Sequence, residues 1–103
     1  MNILPALRDH LQVKIPDQKW DVVGEAHDPR MLMSAVGLSG YIVIEQKDNL
    51  IHIQLQGTGI AGMVVDSLNY SFTIDLCHHD FLSKIRMVVR KCIRAEDMAY
   101  KLP

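Results

Sequence analysis

Cysteine, charge of a single sign and long apolar runs are all scarce in this sequence, and each scarcity excludes a class of protein. Only two cysteines, Cys77 and Cys92, occur among 103 residues, and the start MNILPALRDH has no apolar signal-peptide core. We therefore expect two free thiols in a reducing compartment, the cytoplasm. No apolar run approaches the ~18 residues of a membrane span, so no membrane association is expected.

The charge balance argues against a protein built to wrap nucleic acid. The formal net charge is −1, from 11 basic and 12 acidic side chains, whereas nucleic-acid-binding domains are usually strongly basic. The length predicts one domain, residues 1–103, whose core is large enough to fold without a metal or a disulfide.

A β-hairpin over residues 41–46 and 50–56 is the clearest structural signal. If Asp48 and Asn49 form its turn, Ile44 lies opposite Ile53 and all the isoleucines share one face. Residues 68–76 also alternate between apolar and polar side chains, which is typical of a sheet covered on one side only.

Further elements surround this hairpin. Residues 20–26 predict a strand, residues 27–29 a turn, and residues 31–36 a second strand of less regular pattern. A short N-terminal helix is indicated by leucines at helical spacing before Pro16, and a long helix by residues 80–99. The apolar stripe of the long helix consists of Phe81, Leu82, Ile85, Val88, Val89, Cys92 and Ile93.

These elements predict an α+β fold: a single-layer, mainly antiparallel sheet of about five strands, with the N- and C-terminal helices packed on one face. The predicted core includes Ile44, Ile53, Phe72, Ile74, Ile85, Val88 and Val89.

The segment 57–62 reads GTGIAG and matches a dinucleotide-binding fingerprint. In that fingerprint a helix crosses over to the next strand, which ends in an acidic residue. Between Gly57 and Asp75 the chain is too short for such a helix. The strand before the segment also alternates between apolar and polar residues, whereas a central parallel strand is apolar on both faces. We therefore expect no cofactor. The alternative for this segment is a weak anion-binding nest formed by Gly57, Thr58, Gly59 and Gly62.

The residues Cys77-His78-His79-Asp80 form the densest cluster of potential metal ligands or nucleophile and base. Neighbouring residues on a strand point to opposite faces and seldom supply several ligands of one tetrahedral site. The interpretation is a strand-to-helix junction, with neither a metal nor catalytic residues. Glu45 opposite His52 is an alternative acid–base couple, more simply read as a solvated cross-strand pair.

Two surfaces are candidates for partner binding. The first is the basic side of the last helix, which fits an acidic protein or, less readily, nucleic acid; its residues are Lys84, Arg86, Met87, Arg90, Lys91 and Arg94. The alternative is that these cations form only a solvated helix face. The second surface is the neutral polar face of the sheet, predicted to pair with a second copy; its residues are His52, Gln54, Gln56, Ser71 and Thr73.

The sequence thus favours a small non-enzymatic interaction module that self-associates, most simply as a homodimer. Two alternatives stay open. One is a nucleic-acid-binding protein that uses the basic helix, and the other is a small enzyme or ligand-binding protein that uses the 57–62 loop or the 77–80 cluster. No motif assigns the chain to a family.

Overall fold

The computed structural model describes residues 1–37, 40–56 and 69–101, with side chains described through residue 95 except at Asn69. Five antiparallel strands form one sheet in the order of the chain, between two helices. The elements are α1 (Leu4–Lys14), β1 (Asp21–Glu25), β2 (Asp28–Val36), β3 (Gly40–Lys47), β4 (Leu50–Gln56), β5 (Asn69–Asp75) and α2 (Phe81–Lys101).

The first helix forms where its leucine spacing predicts it. Leu4, Leu7 and Leu11 are all buried, so one stripe of α1 packs on the sheet. The side chain of Asn2 accepts a hydrogen bond from the Leu4 amide at 3.0 Å and satisfies one of the helix's first N–H groups. The helix ends at Lys14, just before Pro16.

The β3–β4 hairpin has the predicted register. Ile44 lies opposite Ile53, and the two strands close at Lys47 and Leu50 around a two-residue turn. Asp48 in that turn has φ 53°, a left-handed conformation that aspartate tolerates better than most residues. The prediction for this hairpin is therefore confirmed in both its pairing and its turn.

The first hairpin differs in detail from its prediction. The predicted turn at residues 27–29 lies one to two residues earlier, at 26–27, so Pro29 belongs to β2 and is buried. Pairing of β1 with β2 shifts between Val23 and Gly24. Gly24 has φ 102°, which a side chain seldom allows, and this conformation accommodates the bulge.

The core lies on one face of the sheet, where both helices pack. Ile53 and Ile44 are fully buried there, as are Ile85 and Val89 of α2. Phe72 is partly buried and packs against the same cluster. The predicted α+β fold, with both terminal helices on one face of an antiparallel sheet, is confirmed.

Candidate functional site

The first candidate surface is the face of the sheet that neither helix covers, and we call it the open sheet face. Strand alternation places every second residue on it. Its members are Asp21, Val23, Met31, Met33, Ala35, Tyr41, Val43, Glu45, Lys47, Leu50, His52, Gln54, Gln56, Ser71, Thr73 and Asp75.

One half of the open sheet face, on β4 and β5, is the neutral polar surface that the sequence predicts. His52 Nδ1 and Thr73 Oγ1 lie 3.2 Å apart, and Gln54 is directly opposite Ser71. Gln56 continues this surface at the end of β4, where it is exposed. The structure thus brings these five residues together on adjacent strands, and their role in self-association stays a prediction.

The other half, on β1 to β3, has an apolar centre that sequence reasoning missed, with the charged residues Asp21, Glu45 and Lys47 around it; we call it the apolar half. Met33 lies between Asp21 and Val43, while Met31 lies beside Val23. Val23 is 37% exposed and the two methionines are partly exposed, whereas Val43 is only 5% exposed among its neighbours. Exposed apolar surface that is continuous across strands marks an interaction site more strongly than single exposed residues do.

A sequence signal for this apolar half existed in β2. The run Met31-Leu32-Met33 is apolar at successive positions, so it gives side chains to both faces of the sheet. Leu32 is fully buried under the helices, whereas the two methionines lie on the open sheet face.

Glu45 and His52, the alternative acid–base couple, are cross-strand neighbours on this face. Among the residues described, they form no ion pair, and the imidazole of His52 contacts Thr73 instead. Catalysis by this pair is therefore not favoured by the geometry, because a base must be held within hydrogen-bond reach of its partner.

Helix α1 contacts part of the basic side of α2, so the basic side chains there are not all equally exposed. Arg86 Nη1 donates a hydrogen bond to His10 Nε2 at 2.9 Å, and Arg90 Nη2 donates to the Lys14 carbonyl at 3.5 Å. Arg86 is consequently only partly exposed. The structure therefore differs from the predicted basic face at Arg86, which lies at the border where α2 meets α1.

The α1–α2 contact is electropositive. Partial burial, followed by the nearby charges of Arg86 and Lys14, lowers the pKa of His10. A neutral imidazole can accept the hydrogen bond that Arg86 donates, whereas a protonated one cannot. Cations from two helices therefore share this side of the molecule, and a neutral His10 adds no further positive charge to it.

The outermost part of α2 combines cations with one apolar side chain. Met87 is 51% exposed, and Lys84, Lys91 and Arg94 are exposed around it. None of the basic side chains of residues 84–94 forms an ion pair with a carboxylate in the described part of the chain. Binding of an acidic protein or of nucleic acid here stays a prediction.

The 77–80 cluster forms the predicted strand-to-helix junction. Asp75 Oδ1 accepts a hydrogen bond from the Cys77 amide at 2.8 Å, and His78 Nδ1 accepts one from the Asp80 amide at 3.1 Å. The His78 and His79 rings stack with centroids 4.9 Å apart. Across residues 1–37, 40–56 and 69–95, no three His, Cys, Asp or Glu side chains are grouped to hold a metal.

The two thiols differ in exposure and environment. A hydrogen bond with the Asp75 carboxylate and the charge of that carboxylate raise the pKa of Cys77, which is exposed. Burial raises the pKa of Cys92 to about 11. Because the thiolate is the nucleophile, neither environment activates a cysteine for catalysis.

We expect alkylation to distinguish the two thiols. With iodoacetamide at about pH 8, Cys77 should react within minutes to hours and Cys92 only on unfolding, because burial both excludes the reagent and suppresses the thiolate. Peptide mass spectrometry of folded and urea-unfolded protein measures this. Equal labelling of both cysteines in folded protein would contradict the placement of Cys92 in the core.

The chain matches no family model, no curated protein and no solved structure. Functional inference therefore depends on the surfaces described above. The predicted anion-binding loop, Gly57, Thr58, Gly59 and Gly62, lies outside the described residues. Neither helix of the described chain is long and apolar enough to cross a membrane.

Proposed function

We propose that the protein is a small, non-enzymatic interaction module that self-associates through the open sheet face. The observation that carries this proposal is the apolar half of that face, where Met31, Met33 and Val43 lie side by side with Val23 and Tyr41 at their margins. Tyr41 is 47% exposed. Burial of such a surface against a partner is favourable in proportion to the apolar area removed from water.

The arrangement of the face favours a second copy as the partner. A two-fold axis in the plane of the interface, running across the strands, would place each strand on the same strand of the second copy. If it passes through the row of Met33 and Val43, these residues meet their own counterparts. Tyr41 then lies over Glu45 of the second copy, where its hydroxyl can donate to the carboxylate.

The polar half is compatible with the same arrangement. The side chains of Gln54 and Ser71 would meet their counterparts, and these neutral groups can donate and accept hydrogen bonds with one another. His52 would lie over Gln56 of the second copy. The same axis places the charged Asp21 opposite its own counterpart, but on the edge strand β1, where water and salt can screen the two carboxylates.

Light scattering on the purified protein tests the proposal. We expect a mass twice the 11.7 kDa of the chain at about 50 µM protein, with dissociation to monomer on dilution, as mass action requires. A monomer mass throughout this concentration range would refute self-association.

We further propose that the protein binds a second, acidic partner and that it is located in the cytoplasm. Exposed cations around Met87, unpaired with any carboxylate that the structure describes, favour an acidic protein surface as a second partner. The nearly neutral net charge favours protein over nucleic acid. Two free thiols favour a cytoplasmic location.

A further inference from the structure

The two edges of the sheet differ in their protection against pairing with another chain. The edge strand β1 is interrupted by the bulge at Val23 and Gly24 and carries the acidic residues Asp21 and Glu25. Bulges and charged side chains are common means of blocking a sheet edge. The opposite edge strand, β5, pairs with β4 from Asn69 to Asp75 without any shift in register.

The unpaired side of β5 presents the backbone of Ser71 and Thr73. The Leu76 amide donates to the Asn49 carbonyl at 2.8 Å, and antiparallel alternation then directs the peptide groups of Phe72 toward β4 as well. The N–H and C=O groups of Ser71 and Thr73 therefore point away from the sheet. Both residues are exposed and uncharged, and no strand of the described chain pairs with this side.

An apolar groove follows β5 on the helix-covered side of the sheet. It has a volume of about 160 Å³, and it lies between the side chains of Tyr70 and Phe72 on β5 and those of Lys91, Cys92 and Ala95 on α2. The Tyr70 and Phe72 rings stack with centroids 6.4 Å apart, and Tyr70 is 44% exposed. A strand added beside β5 would direct every second side chain toward this groove.

Positive charge beside the groove favours an occupant with acidic side chains. Lys91 lines the groove, and Lys84, seven residues earlier, projects from nearly the same side of α2. Pairing of β5 between two copies would bring the lysine-bearing sides of both α2 helices to the same junction, where their like charges repel. Acidic side chains at the ends of an added strand would instead be attracted to them.

We propose that the β5 edge binds an extended peptide segment of another protein as an additional strand, with apolar side chains in the groove and acidic residues near Lys84 and Lys91. Main-chain hydrogen bonds to Ser71 and Thr73 supply affinity in this mode, and the groove supplies specificity. The site uses the outward N–H and C=O groups of Ser71 and Thr73, whose side chains belong to the open sheet face, and the proposed strand addition does not require self-association.

Fluorescence anisotropy with two labelled peptides tests the site. In the peptide ETVTVTVTE, valines and terminal glutamates share one face of an extended strand, and KTVTVTVTK is its basic counterpart. We expect the wild-type protein to bind the acidic peptide about tenfold or more tightly than the basic one, which is the effect of a modest charge preference. No binding of the acidic peptide, or equal binding of the two, would overturn the proposal.

Matched variants separate edge pairing from general attraction between charges. Ser71→Pro removes an N–H group on the unpaired side of β5 and spares the pairing with β4, so we expect about tenfold weaker binding. Ser71→Thr keeps that N–H group and should bind like wild type. Circular dichroism establishes that both variants are folded, and equal affinity of the two folded variants would refute strand addition.

A second pair of variants tests the groove lysine. Lys91→Glu should weaken binding of the acidic peptide about tenfold and reverse the preference between the two peptides. Arg90→Glu makes the same charge change on the side of α2 that faces α1, and it should alter the affinity less than about threefold. Equal losses in both variants would mean that only net charge is sensed, contrary to the proposed site.

Discussion

Replacing Ile53 with alanine should lower the free energy of unfolding by about 2–4 kcal/mol, the usual range for truncation of a large buried aliphatic side chain. Ile53 is fully buried, and it lies in β4 between Ile44 on β3 and Phe72 on β5. The truncation removes contacts with both neighbouring strands and leaves a cavity under the helices, which a paired sheet cannot close by moving one strand.

Urea unfolding followed by circular dichroism measures this loss. Wild type and variant must be compared at one protein concentration, because self-association would add to the apparent stability. Val13→Ala is the control, since Val13 is 75% exposed and its truncation should change the free energy by less than about 0.5 kcal/mol. A loss for Ile53→Ala as small as that of the control would contradict its place in the core.

The local sequence pattern was sufficient to predict the β3–β4 hairpin. A register shift of one residue would have moved every isoleucine of the pair to the open sheet face, so only one alignment buries Ile44 against Ile53. The turn at Asp48 and Asn49 fixes the same alignment independently. Two constraints that agree explain why this hairpin was predictable residue by residue.

The apolar half of the open sheet face was not predictable from the same reasoning. Alternation identifies a buried face only when the other face is polar, and Met31, Leu32 and Met33 are apolar in succession. Which of them lies under the helices depends on the pairing of β2 with β3, where Leu32 is opposite Ile44. That pairing is part of the tertiary structure, which alternation within one strand does not reveal.

Two further features depend on contacts between distant parts of the chain. The hydrogen bond from Arg86 to His10 joins residues 76 positions apart, and helical periodicity alone places Arg86 merely at the border of the polar side. The groove beside β5 likewise requires that β5 be the last strand of the sheet, with α2 packed back along it. Strand order and the contact between the two helices are what the sequence pattern left undetermined.

Replacing Met33 with glutamate should convert the proposed dimer to monomer. Met33 lies at the centre of the apolar half of the open sheet face, between Asp21 and Val43. In the proposed dimer it meets its own counterpart, so the substitution introduces two facing carboxylates, and the described neighbours of Met33 on this face include no cation to pair with them: they are Asp21, Met31, Ala35 and Val43. An unpaired buried charge commonly costs about 3–5 kcal/mol, which corresponds to a dissociation constant raised roughly 100-fold or more.

Met87→Glu is the matched control for this substitution. Met87 is also an exposed methionine, 51% exposed, but it lies on the outer side of α2, away from the open sheet face. Sedimentation velocity across a dilution series should therefore give a dimer for wild type and for Met87→Glu, and a monomer for Met33→Glu. Circular dichroism and the urea midpoint establish that each variant is folded.

Val23→Glu, at a position 37% exposed on the same face, provides a second test if Met33→Glu does not fold. If the folded open-face variants associate as tightly as Met87→Glu, the dimer does not use this face, because a carboxylate buried in the interface without a cationic partner must weaken association.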